Sequence, residues 1–410
     1  MNAHLPTVPV EALPAEISHR GRNITLLLAA TLTIMSGATI APSLPAIEAH
    51  FAGSENVEIL TRLVLTLPAL FIVFCAPFAG GLADRFGRRP LLTAAALLYG
   101  VGGMSGLMAD SLAGLLVGRA ALGIAVAGVM TTVTALIGDY FTGQARDRFM
   151  GLQSAFVGIG GLVFLTGGGL LAEWHWRAPF AVYGLSLLLI PAIMAFINEP
   201  GRSRISGGTA MGQTVETTAW LAVSTIYFVA VLNSIAFYLI PTQLPFHLNE
   251  MGMGAPTLSG FAIGLGNVVG AGVSLTYARL RSRLGIAGVF GLAFGLKAVG
   301  YILLGLATSY VVVLVGVSVV GLGLGMMMPN IAAAAMAAAA PSMRGRVAGG
   351  MTASVFAGHF ISPFVSQPMI ATVGFEWTYV CAGIAVGAIS AVAAGMAILR
   401  AGQVPAAVSD

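Results

Sequence analysis

Three cations stand inside long apolar runs of this chain: Arg62, Arg119 and Lys297. A charged side chain at mid-membrane depth costs at least ~2.5 kcal/mol, so each requires a partner or a task. A guanidinium presents five donors in a planar fork suited to a carboxylate or another strongly accepting group. Arg119 lies about eight residues into its run, roughly 12 Å deep at 1.5 Å per residue. No carboxylate falls at its level. Backbone carbonyls, amides, cavity water or a solute must therefore serve it. Arg62 sits shallower, one turn after Glu58, where it could pair with that acid or extend outward. His359 is the remaining titratable candidate inside an apolar run, suited either to proton coupling or to a hydrogen bond between helices. Asn233, Tyr238, Asn267 and Asn330, with Tyr227, Phe237 and Gln243, supply neutral polar and aromatic groups. Amides and aromatics beside a cation could hold a flat heteroaromatic or an organic anion. Each of these residues could equally serve helix packing.

Other chemistries lack their residues. There is no Gly-x-x-x-x-Gly-Lys-Ser/Thr phosphate loop, no His/Glu metal cluster and no nucleophile motif. Neither a cofactor nor a metal is expected. Cys75 and Cys381 fall in apolar runs and read as small packed side chains rather than as a disulfide framework.

The elements that must carry these residues follow from composition. The chain is 57% hydrophobic and 8% charged, with a mean hydropathy of +0.92. Ordinary soluble domains carry roughly 25% charged residues, so most of this chain's surface must face lipid. Runs long enough to cross a bilayer are predicted at 24–47, 58–83, 90–109, 111–138, 149–172 and 178–197. Six more are predicted at 217–244, 255–278, 285–307, 309–338, 346–372 and 377–399. Residues 1–23 show no apolar core before a cleavage site, so the first run reads as a retained span.

Arginines mark every second connection: Arg20 and Arg22, then Arg85, Arg88 and Arg89, then Arg146 and Arg148. The series continues with Arg202 and Arg204, with Arg279, Arg281 and Arg283, with Arg344 and Arg346, and with Arg400. The opposite connections hold only Arg177. The positive-inside rule then places both termini in the cytoplasm. The net charge of +4 is explained by loops beside anionic lipid, and nucleic acid is not implied. Pro200, Gly201, Gly207 and Gly208 make 198–216 a linker between two halves, 24–197 and 217–400, with a short tail at 401–410. Arg146-Asp147-Arg148 before the fifth span is echoed by Arg344-Gly345-Arg346 before the eleventh. Glu173-Trp174 after the fifth is echoed by Glu376-Trp377 after the eleventh. Matches at equivalent places argue for an internal duplication.

The second span ends in Gly80-Gly81-Leu82-Ala83-Asp84-Arg85-Phe86-Gly87-Arg88-Arg89-Pro90. This segment resembles the signature loop of the major facilitator superfamily, at the matching point between the second and third helices. Pro42 and Pro45 resemble the family's proline pair in the first span, and Arg119, Gly123 and Gly128 resemble a motif of its drug–proton antiporter branch. Leu122 replaces that motif's glutamine, and Phe164-Leu165 stand where the branch carries Gly-Pro ahead of a glycine pair. The resemblance implies an all-α membrane protein of twelve helices in two pseudo-symmetric bundles. It further implies a monomeric secondary transporter of a small organic solute, in the inner membrane, with protons as a candidate coupling ion. Gly80, Asp84, Gly87, Arg88 and Arg89 would form a conformational latch favouring the outward-facing state. The degenerate antiporter motif and the missing membrane carboxylate favour uptake of an aromatic or anionic nutrient such as a vitamin. The branch resemblance favours efflux of drugs or metabolites. The solute-binding candidates are Arg119, Arg62, Asn233, Tyr238, Asn267 and Asn330, and the proton-coupling candidate is His359.

Overall fold

The computed structural model describes residues 15–199 and 218–401. The expected linker and both expected tails lie largely outside these residues. The apolar runs are helices, since a backbone surrounded by lipid must satisfy its hydrogen bonds within its own segment. The first span is broken. Helix α1, Ala15–Ala38, gives way at Pro42 and Pro45 to a short turn and then α2, Leu44–His50. Proline lacks the amide that would continue the ladder. The next spans are α3 (Val57–Phe86), α4 (Arg88–Met104), α5 (Leu112–Tyr140) and α6 (Gly143–Trp174). A 3-10 turn at Ala178–Gly184 leads into α7, Leu185–Phe196. After the linker come α8 (Trp220–Glu250), α9 (Pro256–Ser274), α10 (Tyr277–Gly305), α11 (Tyr310–Ala338) and α12 (Arg344–Ala401).

Among the described residues, eleven segments are long and apolar enough to cross a membrane. The last of them runs over 55 residues, Pro341–Gly395, far beyond the roughly 20 that one crossing needs. Gly374, at φ 78° and ψ 175°, breaks it between the expected eleventh and twelfth spans. The same device at Gly285, φ 66°, separates the basic segment starting at Tyr277 from the ninth span.

Helix neighbours recur in parallel on the two sides of the linker. In the first part α3 and α4 pack on α5, α1 on α6 and α4 on α7. In the second part α9 and α10 pack on α11, α8 on α12 and α10 on α12. The two parts meet along α6 with α9 and along α3 with α12. One end of the assembly carries Glu48, Glu58, Asp110, Glu173 and Glu376, and the other carries the arginine loops. At the acidic end the two parts are shut together. A Cβ on Gly260 of α9 would lie 2.2 Å from the Leu165 carbonyl oxygen of α6, so only glycine permits this crossing. Glu58 of α3 accepts from Gln367 of α12 at 3.0 Å, and Glu173 accepts from Thr257 at 2.5 Å. Towards the arginine-rich end α6 and α9 remain close, a Cβ on Gly158 lying 2.8 Å from the Ala271 Cβ, but space opens at the helix ends. Gly151, Gly272, Gly345 and Gly349 have open space where a Cβ would project.

Candidate functional site

Between the two parts lies a cavity of about 240 Å³. Helix α1 contributes Thr33, Ser36 and Gly37, and α3 contributes Leu65, Pro68 and Ile72. Phe237, Tyr238 and Pro241 come from α8, Asn267 from α9, and Phe356 and His359 from α12. No Asp, Glu, Lys or Arg lines it. The His359 ring stacks on Tyr238, with centroids 4.0 Å apart and planes 20° apart. Phe356 meets the imidazole edge-on at 5.4 Å. Gly37 opens room for Tyr238, whose hydroxyl would lie 3.2 Å from a Cβ placed there. Thr33 and Ser36 donate their hydroxyl protons to the Ala30 and Thr33 carbonyls, leaving oxygen lone pairs free to accept.

Two further spaces join this cavity towards the arginine-rich end. One, of about 500 Å³, shares Ile72, Met130 and Phe356 with it and lies among α3, α5 and α12. The other, of about 740 Å³, shares Asn267 and lies among α6, α9 and α11. Contacts between the parts close the cavity over at the acidic end, and the larger spaces that share its lining lie on the arginine-rich side.

The structure gathers Tyr238, Asn267 and His359 at the cavity and places the other solute-binding candidates elsewhere. Arg119 is 1% exposed and stands behind the wall. It donates to the Tyr183 hydroxyl at 2.9 Å, and Tyr183 donates in turn to the Ser36 carbonyl at 2.9 Å. A phenol thus accepts one of the guanidinium's hydrogen bonds, and Arg119 Nη2 has no partner among the described residues. Asn330 is tied to structure, accepting from the Tyr277 hydroxyl at 3.1 Å and donating to the Ile286 carbonyl at 3.0 Å. Asn233 accepts from the fully buried Lys297 ammonium at 2.6 Å. That pair joins residues 64 positions apart on α8 and α10, a match that no local spacing announces.

Arg62 corrects one expectation. Its carboxylate partner is Glu48, not Glu58, because the break after α1 lets α2 fold over α3. Glu58 offers its backbone carbonyl at 2.9 Å, leaving its carboxylate for Gln367. Arg62 also reaches the second part, donating to Gln243 at 3.3 Å and lying 3.7 Å from the Phe246 ring centroid. Gln243 in turn donates to Ser366 at 2.9 Å. Arg62 is therefore part of the contacts that close the acidic end, one turn from Leu65 of the cavity lining.

The signature loop folds back on its own part of the molecule. Gly87 has φ 99°, a conformation that favours glycine, and turns the chain from α3 into α4. The Glu199 carboxylate accepts from the Arg88 and Arg89 amides at 2.7 and 2.9 Å, an acid seated on the positive end of α4. Arg88 pairs with Asp139 and donates to the Ala135 carbonyl, and Arg89 donates to the Met194 carbonyl. Asp84 has a side chain 79% exposed and lies 4.0 Å from Arg88. Gly80 lies in ordinary contact with Thr131. Neither Asp139 nor Glu199 was singled out in the sequence, where each is simply an acid near an arginine loop.

Among curated proteins, the chain is 36% identical over 177 residues to the tetracycline resistance protein, class C, of Escherichia coli. It is 32% identical over 167 residues to the bacillibactin exporter of Bacillus subtilis. It is 29% identical over 154 residues to the niacin transporter NiaP of Acinetobacter baylyi. These matches span 40%, 39% and 36% of this chain, and 43%, 41% and 35% of those relatives. Among solved structures, a bacterial homologue of the human lysosomal transporter Spinster, inward-facing and occupied, aligns at a TM-score of 0.74 and 15% identity. That alignment covers 95% of this chain and 98% of that one. A D-xylose–proton symporter aligns at 0.73 and 17% identity, covering 91% and 97%. At such identities the likeness is one of fold. The sequence profile of the family itself covers residues 26–363, and the chain belongs to the Major Facilitator Superfamily, a family of membrane-spanning transporters rather than of enzymes.

Proposed function

We propose that this protein moves a small organic solute across the inner membrane by alternating access, with its two parts, 24–197 and 217–400, rocking about the central cavity. The observation that carries this reading is a cavity between the two parts, closed over at the acidic end and flanked by larger spaces towards the arginine-rich end. The arginine bias assigns the open end and both termini to the cytoplasm. In that frame the conformation is inward-open, and the Glu48–Arg62–Gln243 and Glu58–Gln367 contacts are the outer gate. Asp84, exposed in this state, would act in the opposite one, when the arginine-rich end closes. His359, at the cavity wall, is the candidate for coupling transport to protons.

Uptake of an aromatic nutrient is supported by the aromatic lining and by similarity to a niacin transporter. Efflux is the second reading, supported by similarity to a tetracycline resistance protein and a bacillibactin exporter. Purified protein in proteoliposomes, given labelled candidate solutes with and without an imposed pH gradient, separates these readings. Solute accumulation that follows the gradient is expected. Vesicles no more permeable than protein-free controls across vitamins and drugs would overturn the transport reading. A reporter fused to the C-terminus is expected to signal only if it is of the cytoplasmic type. A signal from a periplasmic reporter would reverse the topology.

A further inference from the structure

The cavity wall states more about the solute than its size. Among the described residues its lining holds no formally charged side chain; Arg62 lies in the outer gate, Arg119 donates to Tyr183 and Lys297 to Asn233. An anion entering here would leave water without meeting a fixed cation, and an organic cation would meet no carboxylate. Either transfer is heavily penalised in an apolar surround.

Its lining combines a few polar groups with aromatic rings. His359 is 8% exposed, and neither ring nitrogen has a hydrogen-bond partner among the described residues. A buried polar group left this way is costly, and a ligand that pairs it recovers that cost. A neutral imidazole offers one donor and one acceptor. A small rotation of the ring, off its stack with Tyr238, would turn these towards the cavity. Asn267 on α9, across from α12, brings an amide with both a donor and an acceptor. Phe356 and Phe237 add aromatic surface, which favours offset or edge-on packing of another ring.

We propose that the transported solute is a small, uncharged, planar nitrogen heteroaromatic bearing both a donor and an acceptor, held between His359 and Asn267 against Tyr238. This rests on the alternating-access reading, of which it specifies the substrate class.

Four probes of nearly equal size test it: nicotinamide, its acid nicotinate, the permanently cationic 1-methylnicotinamide, and the non-planar cyclohexanecarboxamide. Binding is measured on purified, monodisperse protein by equilibrium dialysis and by ligand-induced thermal shift. Nicotinamide is expected to bind at least about tenfold tighter than either charged probe, because neither charge finds a counter-charge. It is expected to exceed the saturated ring by a similar margin, about tenfold, because that ring cannot stack. His359→Ala and Asn267→Ala should each weaken nicotinamide about tenfold or more, measured on the monodisperse folded fraction of each variant. Two variants are used so that misfolding of one does not shelter the idea.

Nicotinate binding as well as nicotinamide would overturn the uncharged class, and equal binding of the saturated ring would overturn planarity. Absence of binding by all four at millimolar concentration would overturn the class outright. The transport reading is checked separately by Thr33→Cys in the cavity, whose reactivity towards an impermeant thiol reagent needs no solute. Failure of the panel with reactivity from both membrane faces removes the substrate class alone. Reactivity confined to one face, even when Gly260→Ala is added, removes the transport reading.

Discussion

Substituting Gly260 by alanine should drive the protein out of the conformation described here. In this state a Cβ at residue 260 would sit 2.2 Å from the Leu165 carbonyl oxygen and 3.2 Å from Pro42, with the first contact about 1 Å short of ordinary separation. The obstructing atom is backbone, so no rotamer change relieves it. Overpacking of this kind costs ~1–3 kcal/mol. Alanine gains about 1 kcal/mol over glycine in a helix interior, but it does so in every conformation and leaves the balance between them unchanged. The steric cost applies only while α6 and α9 are pressed together at the acidic end. A difference of ~1–3 kcal/mol shifts the ratio of inward-open to outward-open molecules roughly 5- to 150-fold. The assay is thiol labelling at Gly349→Cys, which faces open space near the arginine-rich end, with Cys75 and Cys381 replaced by serine. An impermeant maleimide added to inside-out vesicles should react more slowly when Gly260→Ala is present. Gly167→Ala on α6, where a Cβ meets nothing within 4 Å, is the control and should leave the rate unchanged. An unaltered rate in well-folded Gly260→Ala protein would refute the assignment of this crossing to the closed gate.

Three further substitutions separate conformational, structural and packing roles. Asp84→Asn should impair transport while leaving expression and insertion intact, because the carboxylate is exposed and weakly paired here; transport at the wild-type rate would count against a latch. Arg119→Ala should destabilise by about 1–3 kcal/mol, seen as a lower thermal midpoint, since it removes a buried partner of Tyr183. Solute affinity of the folded fraction should stay within about twofold, and a large affinity loss at unchanged stability would return Arg119 to the binding site. Asn233→Leu should cost about 1–3 kcal/mol by removing the acceptor of the buried Lys297 amine, with Lys297→Met added to it restoring much of the loss. Equal stability of the two Asn233→Leu proteins, with and without Lys297→Met, would show that the pair is not coupled.

What the sequence disclosed and what it withheld divide along a physical line. A crossing segment is announced by its own residues, so the spans from Leu112 to Tyr140 and from Tyr310 to Ala338 stand where apolar length alone put them. The signature loop at Gly87 was equally local, because glycine acts on its own backbone, whereas the break at Pro42 and Pro45 interrupts a run expected to continue over 24–47. Pairings between helices were not legible. A soluble helix shows which side faces inward by its polar stripe, but a span that is apolar all round hides its rotation. The sequence therefore offered Arg119, Asn233 and Asn330 as if all faced one cavity, when each is turned to a private partner on another helix. Glu48 escaped for a related reason, since its approach to Arg62 depends on the fold of α2 over α3 and not on helical spacing. His359 and Tyr238 were identifiable as types, but their stacking at 4.0 Å needed the three-dimensional meeting of α8 and α12.

The central claim is that one cavity is offered alternately to the two sides of the membrane. Its most direct test is Thr33→Cys, on the cavity wall, in protein lacking Cys75 and Cys381. An impermeant thiol reagent is applied to inside-out and to right-side-out vesicles. Rapid labelling is expected in inside-out vesicles, matching the open arginine-rich end. Slower but measurable labelling is expected in right-side-out vesicles, rising when Gly260→Ala is added. Failure to label from the second face, even with Gly260→Ala, would contradict alternating access through this cavity.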